Sequence, residues 1–249
     1  MYRTTLRYTR SEGLLEGSSS VPGSGDHHAQ RWVWDHSLAR GIAPGWTAAG
    51  VLRLVSLETD EPGMPDQEEK GIGDPLLILQ YDGLYRKNHP RGFSRLALQG
   101  RVLLPVGEEP FTRDSFDLGL ALIGTRVKER HWLGGDLNYV LATGGPGDIE
   151  RGDILGADVY YLYRMGSTAH QRALLVGEIN ARHQKGDRRG SSRVPNTGGD
   201  TIALTMGAEI FLSDQSILEA AVSLPIYRDL NGVQPDIPVL FLVGLRRLF

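Results

Sequence analysis

Apolar and polar residues alternate with period two along most of this chain. The segments run to about ten residues with turn-formers between them, the pattern of β-strands that have one oily face. In SFDLGLALI, Phe116, Leu118, Leu120 and Leu122 fall on one face, and Asp117, Gly119 and Ala121 on the other. HWLGGDLNYVL sets Leu133, Leu137, Tyr139 and Leu141 against Asp136 and Asn138. DILGADVYYLY places Leu155, Val159, Tyr161 and Tyr163 opposite Asp158, and ALLVGEINAR places Leu175 and Ile179 opposite Glu178, Asn180 and Arg182. TIALTMGAEI and ILEAAVSL repeat the split with Glu209 and Glu219 on the polar side. Earlier, Trp32, Trp34 and Leu38 alternate with Arg31, Asp35 and Ser37, and Leu96, Leu98 and Val102 with Arg95, Gln99 and Arg101. The pattern predicts about twelve strands, near 2–10, 30–39, 46–57, 72–84, 93–104, 115–124, 131–141, 153–164, 171–183, 200–211, 216–226 and 237–249.

The connections alternate in length. Short ones occupy 40–45, 124–130 and 212–216; long ones occupy 11–29, 58–71, 105–114, 142–152, 184–199 and 227–236. A meander with short turns at one end and long loops at the other has the layout of an outer-membrane barrel. No helical period longer than a turn or two appears, and no shift in composition marks a second domain. The expected fold is all-β, a closed antiparallel up-and-down transmembrane barrel over residues 1–249, with both termini and Phe249 at the short-turn end. Leu118, Leu120, Leu137, Tyr139, Val159, Tyr161, Leu204, Val222, Phe241 and Val243 are expected to face lipid.

Composition narrows the classes. The 249 residues carry 27 Lys and Arg against 30 Asp and Glu, a net charge of −3, with 40% apolar residues and no Cys. That balance argues against disorder, a disulfide scaffold and a nucleic-acid partner. Lack of Cys fits an oxidising compartment such as the bacterial envelope. The first twenty residues hold charges throughout and no apolar core, so the expectation is that a signal peptide has been removed or lies upstream of Met1. The longest uncharged apolar run, IPVLFLVGL, is too short for a spanning helix. A mean hydropathy of −0.25 is compatible with a membrane barrel, because only alternate residues of each strand meet lipid. A soluble barrel or sandwich would show the same period with its oily face turned inward. Mixed charge signs on many strands and the apolar alternation that ends in Phe249 favour the membrane.

Several motifs carry a resemblance. They are Gly71-x-Gly73-Asp74 at a strand start, Leu104-Pro105-Val106-Gly107 at a strand end, Leu224-Pro225-Ile226, Leu230-Asn231-Gly232 and the terminal Phe. Together they resemble the outer-membrane β-barrel family of phenol-degradation meta-pathway proteins, often labelled transporters, from about Arg31 to Phe249. Each motif also has a plain reading: glycine where a strand start is tight, Pro where a ladder donor is dispensed with, and turn chemistry at Asn-Gly. Arg247 departs from the resemblance, standing on the outward row where such barrels carry an apolar or aromatic residue. The resemblance implies the outer membrane, a small and aromatic or hydrophobic solute, and barrel-assembly machinery acting on the last strand through Phe249.

No catalytic, cofactor or metal constellation emerges. Asp26-His27-His28 lacks a spaced further ligand, and GGPGDIERGD (144–153) lacks the repeat of calcium-binding rolls. The polar face is more informative. Arg53, Asp82, Arg95, Gln99, Arg101, Asp117, Asp136, Asn138, Asp158, Glu178, Asn180, Arg182, Glu209 and Glu219 are the candidates to line a lumen. Residues of opposite sign among Arg95, Arg101, Asp136, Asp158, Glu178 and Arg182 are expected to pair across neighbouring strands. Three functions follow in order of preference: a channel or uptake route for small molecules, a plugged barrel that serves as a scaffold for a partner, and a hydrolase of lipid or peptide at the rim.

Overall fold

The computed structural model describes residues 1–61, 63, 65–89, 92–144, 149–166 and 173–249. Twelve long strands form its wall: β1 Tyr2–Glu12, β2 His28–Ala43, β3 Trp46–Asp60, β4 Gln67–His89, β5 Gly92–Leu103 and β6 Asp117–Lys128. They continue as β7 His131–Ala142, β8 Ile154–Met165, β9 Ala173–Gln184, β10 Gly199–Phe211, β11 Ser216–Pro235 and β12 Val239–Arg247. Each pairs antiparallel with its neighbours in sequence, and β1 pairs β12 from Tyr2↔Arg247 to Arg10↔Val239, so the sheet closes on itself. Closure leaves the wall no unpaired edge, which hydrocarbon would not tolerate.

Period two decides which side each residue faces. Cross-strand partners share a face, so the row Leu118↔Leu141, Leu120↔Tyr139 and Leu122↔Leu137 lies on one side of the wall. That side is the outside: Leu120 is 64% exposed, Leu137 56%, Val159 57% and Val243 53%. Leu204 and Val222 share the outward row with Ile179, Met206 and Phe241. Among the described residues no large side chain is fully buried. This inverts the arrangement of a soluble sandwich, whose large apolar residues fill a core; here they form a belt that only lipid covers.

Both chain ends and the turns after β2, β6 and β10 lie at one rim of the barrel. Residues 13–27, 104–116, 143–144, 149–153 and 185–198 lie at the other. Two connections read as long are shorter than expected. β3 and β4 run on to Asp60 and from Gln67, and β11 runs on to Pro235 so that only 236–238 remain before β12. The cause is that strands rising above the bilayer are wet on both faces, so the hydrogen-bond ladder continues after the apolar alternation has stopped. Leu230-Asn231-Gly232, read as a turn, is a bulge inside β11: Leu230 pairs Gly17, Val233 pairs Glu16, and Gly232 has φ 73°.

Candidate functional site

Inside the wall, charge is sorted by level. Near the rim that holds the termini, Arg3 makes a bidentate contact with Glu219 at 3.1 and 2.7 Å, and Arg246 reaches Glu219 at 3.2 Å and Glu209 at 3.3 Å. Glu209 and Glu219 lie in register on β10 and β11, and the two arginines hold these like charges together. One level up, the Asp35 carboxylate accepts from Arg7 at 2.5 Å and from Arg53 at 2.8 Å. Asp82, in a bulge of β4, pairs Arg95 at 2.6 Å.

Across the barrel the expected ladder of opposite charges does not form among the described residues. Asp136 and Asp158 stand directly opposite each other on β7 and β8. Amides serve them instead: Asn138 donates to Asp136 at 2.8 Å, and Asn180 donates to Asp158 at 2.6 Å and to Glu178 at 2.9 Å. Arg101 donates to Gln99 at 2.5 Å, and Arg182 to Gln184 at 2.9 Å. An amide next to a carboxylate satisfies lone pairs without adding charge, so the acids accumulate on β7–β9 while cations accumulate on β1–β3.

Glycines make the interior possible by providing space. A side chain leaning along the wall needs a gap on the next strand. A Cβ on Gly73 would meet Arg53 at 3.2 Å, one on Gly119 would meet Arg101 at 3.2 Å, and one on Gly156 would meet Asn138 at 2.6 Å. Tyr160 lies over Gly134 and its hydroxyl reaches Thr125 at 2.8 Å.

The loop 104–116 folds back into the barrel. A Cβ at Gly71 would meet Glu108 and Phe111 at 2.9 Å, so Gly71 is required by the loop packed on it and not by backbone strain at a strand start. β4 carries one extra residue opposite β3, where Val51↔Leu76 is followed by Arg53↔Gly73, and Asp74-Pro75 form this bulge. The bulge aims the Asp74 carboxylate at the loop. It accepts from the Gly107 N–H at 2.9 Å, the Thr112 hydroxyl at 2.9 Å and the Arg113 N–H at 2.7 Å, and it is 5% exposed. Arg113 continues to Asp117 at 2.5 Å. The two motifs Gly71-x-Gly73-Asp74 and Leu104-Pro105-Val106-Gly107 are therefore two halves of one latch.

Above the latch is a cavity of about 680 Å³ whose wall includes Arg7, Arg31, Arg53, Arg113, Arg151 and Arg182. Arg7, Arg31, Arg113 and Arg151 were absent from the residues picked out as lumen candidates. The parity of Arg31 with Asp35 in the sequence could have added it; nothing in the sequence placed Arg113 and Arg151 inside. At the loop end, Lys185 pairs Asp153 at 2.8 Å and Tyr139 donates to the same carboxylate at 2.6 Å. Partial burial pushes the Asp153 pKa up, but these two bonds and the Ala142 N–H outweigh it and hold the carboxyl below its ordinary value. Among the described residues no group of three or more His, Asp or Glu is placed to hold a metal ion; within GGPGDIERGD, residues 145–148 lie outside the described residues.

Comparisons with known proteins agree with this architecture. The family model described as "Putative MetA-pathway of phenol degradation" matches residues 17–234. No curated protein sequence matches the chain. Among solved structures, the chain is similar to an outer-membrane channel from Pseudomonas putida F1, with a TM-score of 0.75 at 12% identity over 100% of this chain and 95% of the other. It is also similar to the β-domain of the Bordetella autotransporter BrkA, with a TM-score of 0.58 at 14% identity over all of both chains. The NanC porin superposes with a TM-score of 0.54 at 12% identity, over 99% of this chain and 100% of that one.

Proposed function

From the premise that this chain belongs to the family described as "Putative MetA-pathway of phenol degradation", we propose that it is a channel of the bacterial outer membrane that admits small aromatic or otherwise hydrophobic molecules. One observation carries the reading: a closed wall with a lipid-facing apolar belt encloses a charged interior with a loop-end cavity of about 680 Å³. Such a wall exposes to lipid only what lipid accepts and keeps inside the groups that hold water. Arg53, Asp82, Arg95, Gln99, Arg101, Asp117, Asp136, Asn138, Asp158, Glu178, Asn180, Arg182, Glu209 and Glu219 line this route in the proposal, with Arg7, Arg31, Arg113 and Arg151 added at its mouth. The last strand, with Phe241, Val243 and Leu245 outward and Phe249 81% exposed beyond it, is the segment offered to the barrel-assembly machinery.

The latched loop favours a second reading, in which the lumen is closed and the barrel serves as a scaffold. Planar-bilayer recording of the purified protein separates the two. Discrete conductance steps, together with faster entry of phenol into vesicles that contain the protein than into protein-free vesicles, support the channel. A silent protein with no gain in phenol entry supports the scaffold.

A further inference from the structure

The loop-end cavity has an uneven charge. Six arginines line it, against two carboxylates, Glu69 and Asp74, and Asp74 is already occupied by three donors of the loop. Arg7 and Arg53 share Asp35, and Arg113 has Asp117. For Arg31, Arg151 and Arg182 no carboxylate lies within ion-pair distance among the described residues. Arg31 is flanked on the adjacent strands by Thr9 and Leu57, and Arg182 by Gly156 and Thr201. The protein as a whole is acidic, at −3, so this excess of cations belongs to one place.

Between the arginines the wall is apolar, through Val55, Leu57, Phe111, Ile237 and Leu240. A guanidinium with no carboxylate partner presents a planar fork that fits one, and adjacent apolar side chains fit a hydrocarbon or ring. A second cavity, of about 420 Å³, shares Arg151 and carries Arg188 and Arg193 beside Glu150 and the Lys185–Asp153 pair, so its balance is also positive.

We propose that the loop-end cavity binds small organic anions, carboxylates that carry an aromatic or apolar body, on their way through the barrel. The proposal rests on the channel reading and gives its solute a charge. Benzoate binds this cavity, and benzamide, which has the same shape without the charge, does not.

Titration calorimetry on the purified barrel in a non-ionic detergent tests it. Benzoate gives a saturable heat and benzamide none; Arg31→Gln and Arg182→Gln each weaken benzoate by about tenfold, the loss of one charge-assisted bond. Raising the salt weakens benzoate further. Arg31→Lys, which keeps the charge and loses the fork, falls between wild type and Arg31→Gln, and retention of the unheated gel mobility certifies the fold of every variant. Equal binding of benzoate and benzamide overturns the proposal. So does benzoate affinity that is unchanged in the folded Arg31→Gln, Arg182→Gln double variant. Bilayer recording judges the channel separately: a protein that conducts but does not prefer benzoate keeps the channel and loses this inference, whereas a silent protein that binds benzoate keeps the site and loses the channel.

Discussion

Asp74→Ala should free the loop 104–116 from the lumen. In the wild type the carboxylate sits 5% exposed in the β4 bulge and accepts three hydrogen bonds from the loop, at 2.9, 2.9 and 2.7 Å. A bond to an ionised acceptor contributes roughly 1.5 kcal/mol net of the water it replaces, so the three together favour the docked loop by about 4–5 kcal/mol. That bias is roughly a thousandfold in the docking equilibrium of the loop. Hydrogen exchange should report this directly as lost protection at the Gly107 and Arg113 amides, with the β5 and β6 amides unchanged. Conductance per channel should rise as the loop leaves. Asp74→Asn keeps an acceptor oxygen and loses the charge, so it should fall between the two. If Asp74→Ala leaves both amides protected and the conductance unaltered, the carboxylate is not the latch.

Other substitutions probe the wall. Gly134→Ala drives a Cβ into the Tyr160 hydroxyl and to 2.7 Å from the Gly124 carbonyl; overpacking of this kind should cost roughly 1–3 kcal/mol in the detergent melt, and adding Tyr160→Ala should restore only the part due to the side chain. Glu219→Ala removes the anion that Arg3 and Arg246 share and should lower stability by about 3 kcal/mol by the same measurement. Asp158→Asn, by contrast, relieves the repulsion from Asp136 across the strand pair and should raise stability by up to about 1 kcal/mol. The depressed pKa of Asp153 means that its tie to Lys185 stabilises the fold above the unfolded carboxylate pKa and is lost as pH falls through the lower folded value; exchange at the Ala142 amide, after correction for intrinsic rate, should therefore stay protected at neutral pH and accelerate only below about pH 4. Trypsin added to intact cells should cut after the exposed Arg189 if the long loops face outward, and cleavage only after permeabilisation would reverse that orientation.

How much of this was legible in the sequence depends on distance along the chain. Alternation is local, and it placed all twelve strands and put Leu120, Val159 and Val243 on the outward side. It failed where water replaces lipid, at the upper parts of β3, β4 and β11, because nothing there requires one face to be oily. Pairing of charges is not local. Arg95 does find a partner, but it is Asp82 in a bulge, and a bulge shifts register in a way that residue parity cannot show. The latch was present as two motifs, each with a sufficient local explanation, separated by more than thirty residues. Only the fold shows that Gly107 must be bare because its Cβ would lie 2.8 Å from the Asp74 backbone nitrogen.

The separation of charge inside the barrel follows from the same physics as the belt outside it. Neutralising pairs on every strand would be the cheapest way to fill a lumen, and the cluster of Arg3, Arg246, Glu209 and Glu219 at the terminal rim is built that way. So are Arg7, Arg53 and Asp35 one level up, but the middle and upper levels of β7–β9 are not. There amides satisfy oxygens of Asp136, Asp158 and Glu178, Arg182 bonds to an amide as well, and among the described residues Arg31 and Arg182 have no carboxylate within ion-pair distance. Such an arrangement gives up stability, since like charges on adjacent strands repel. In the proposed channel the positive wall would attract and orient an anion at the mouth, and the acidic wall below would weaken its hold as it descends. Binding strong enough to enter and weak enough to leave is what conduction requires.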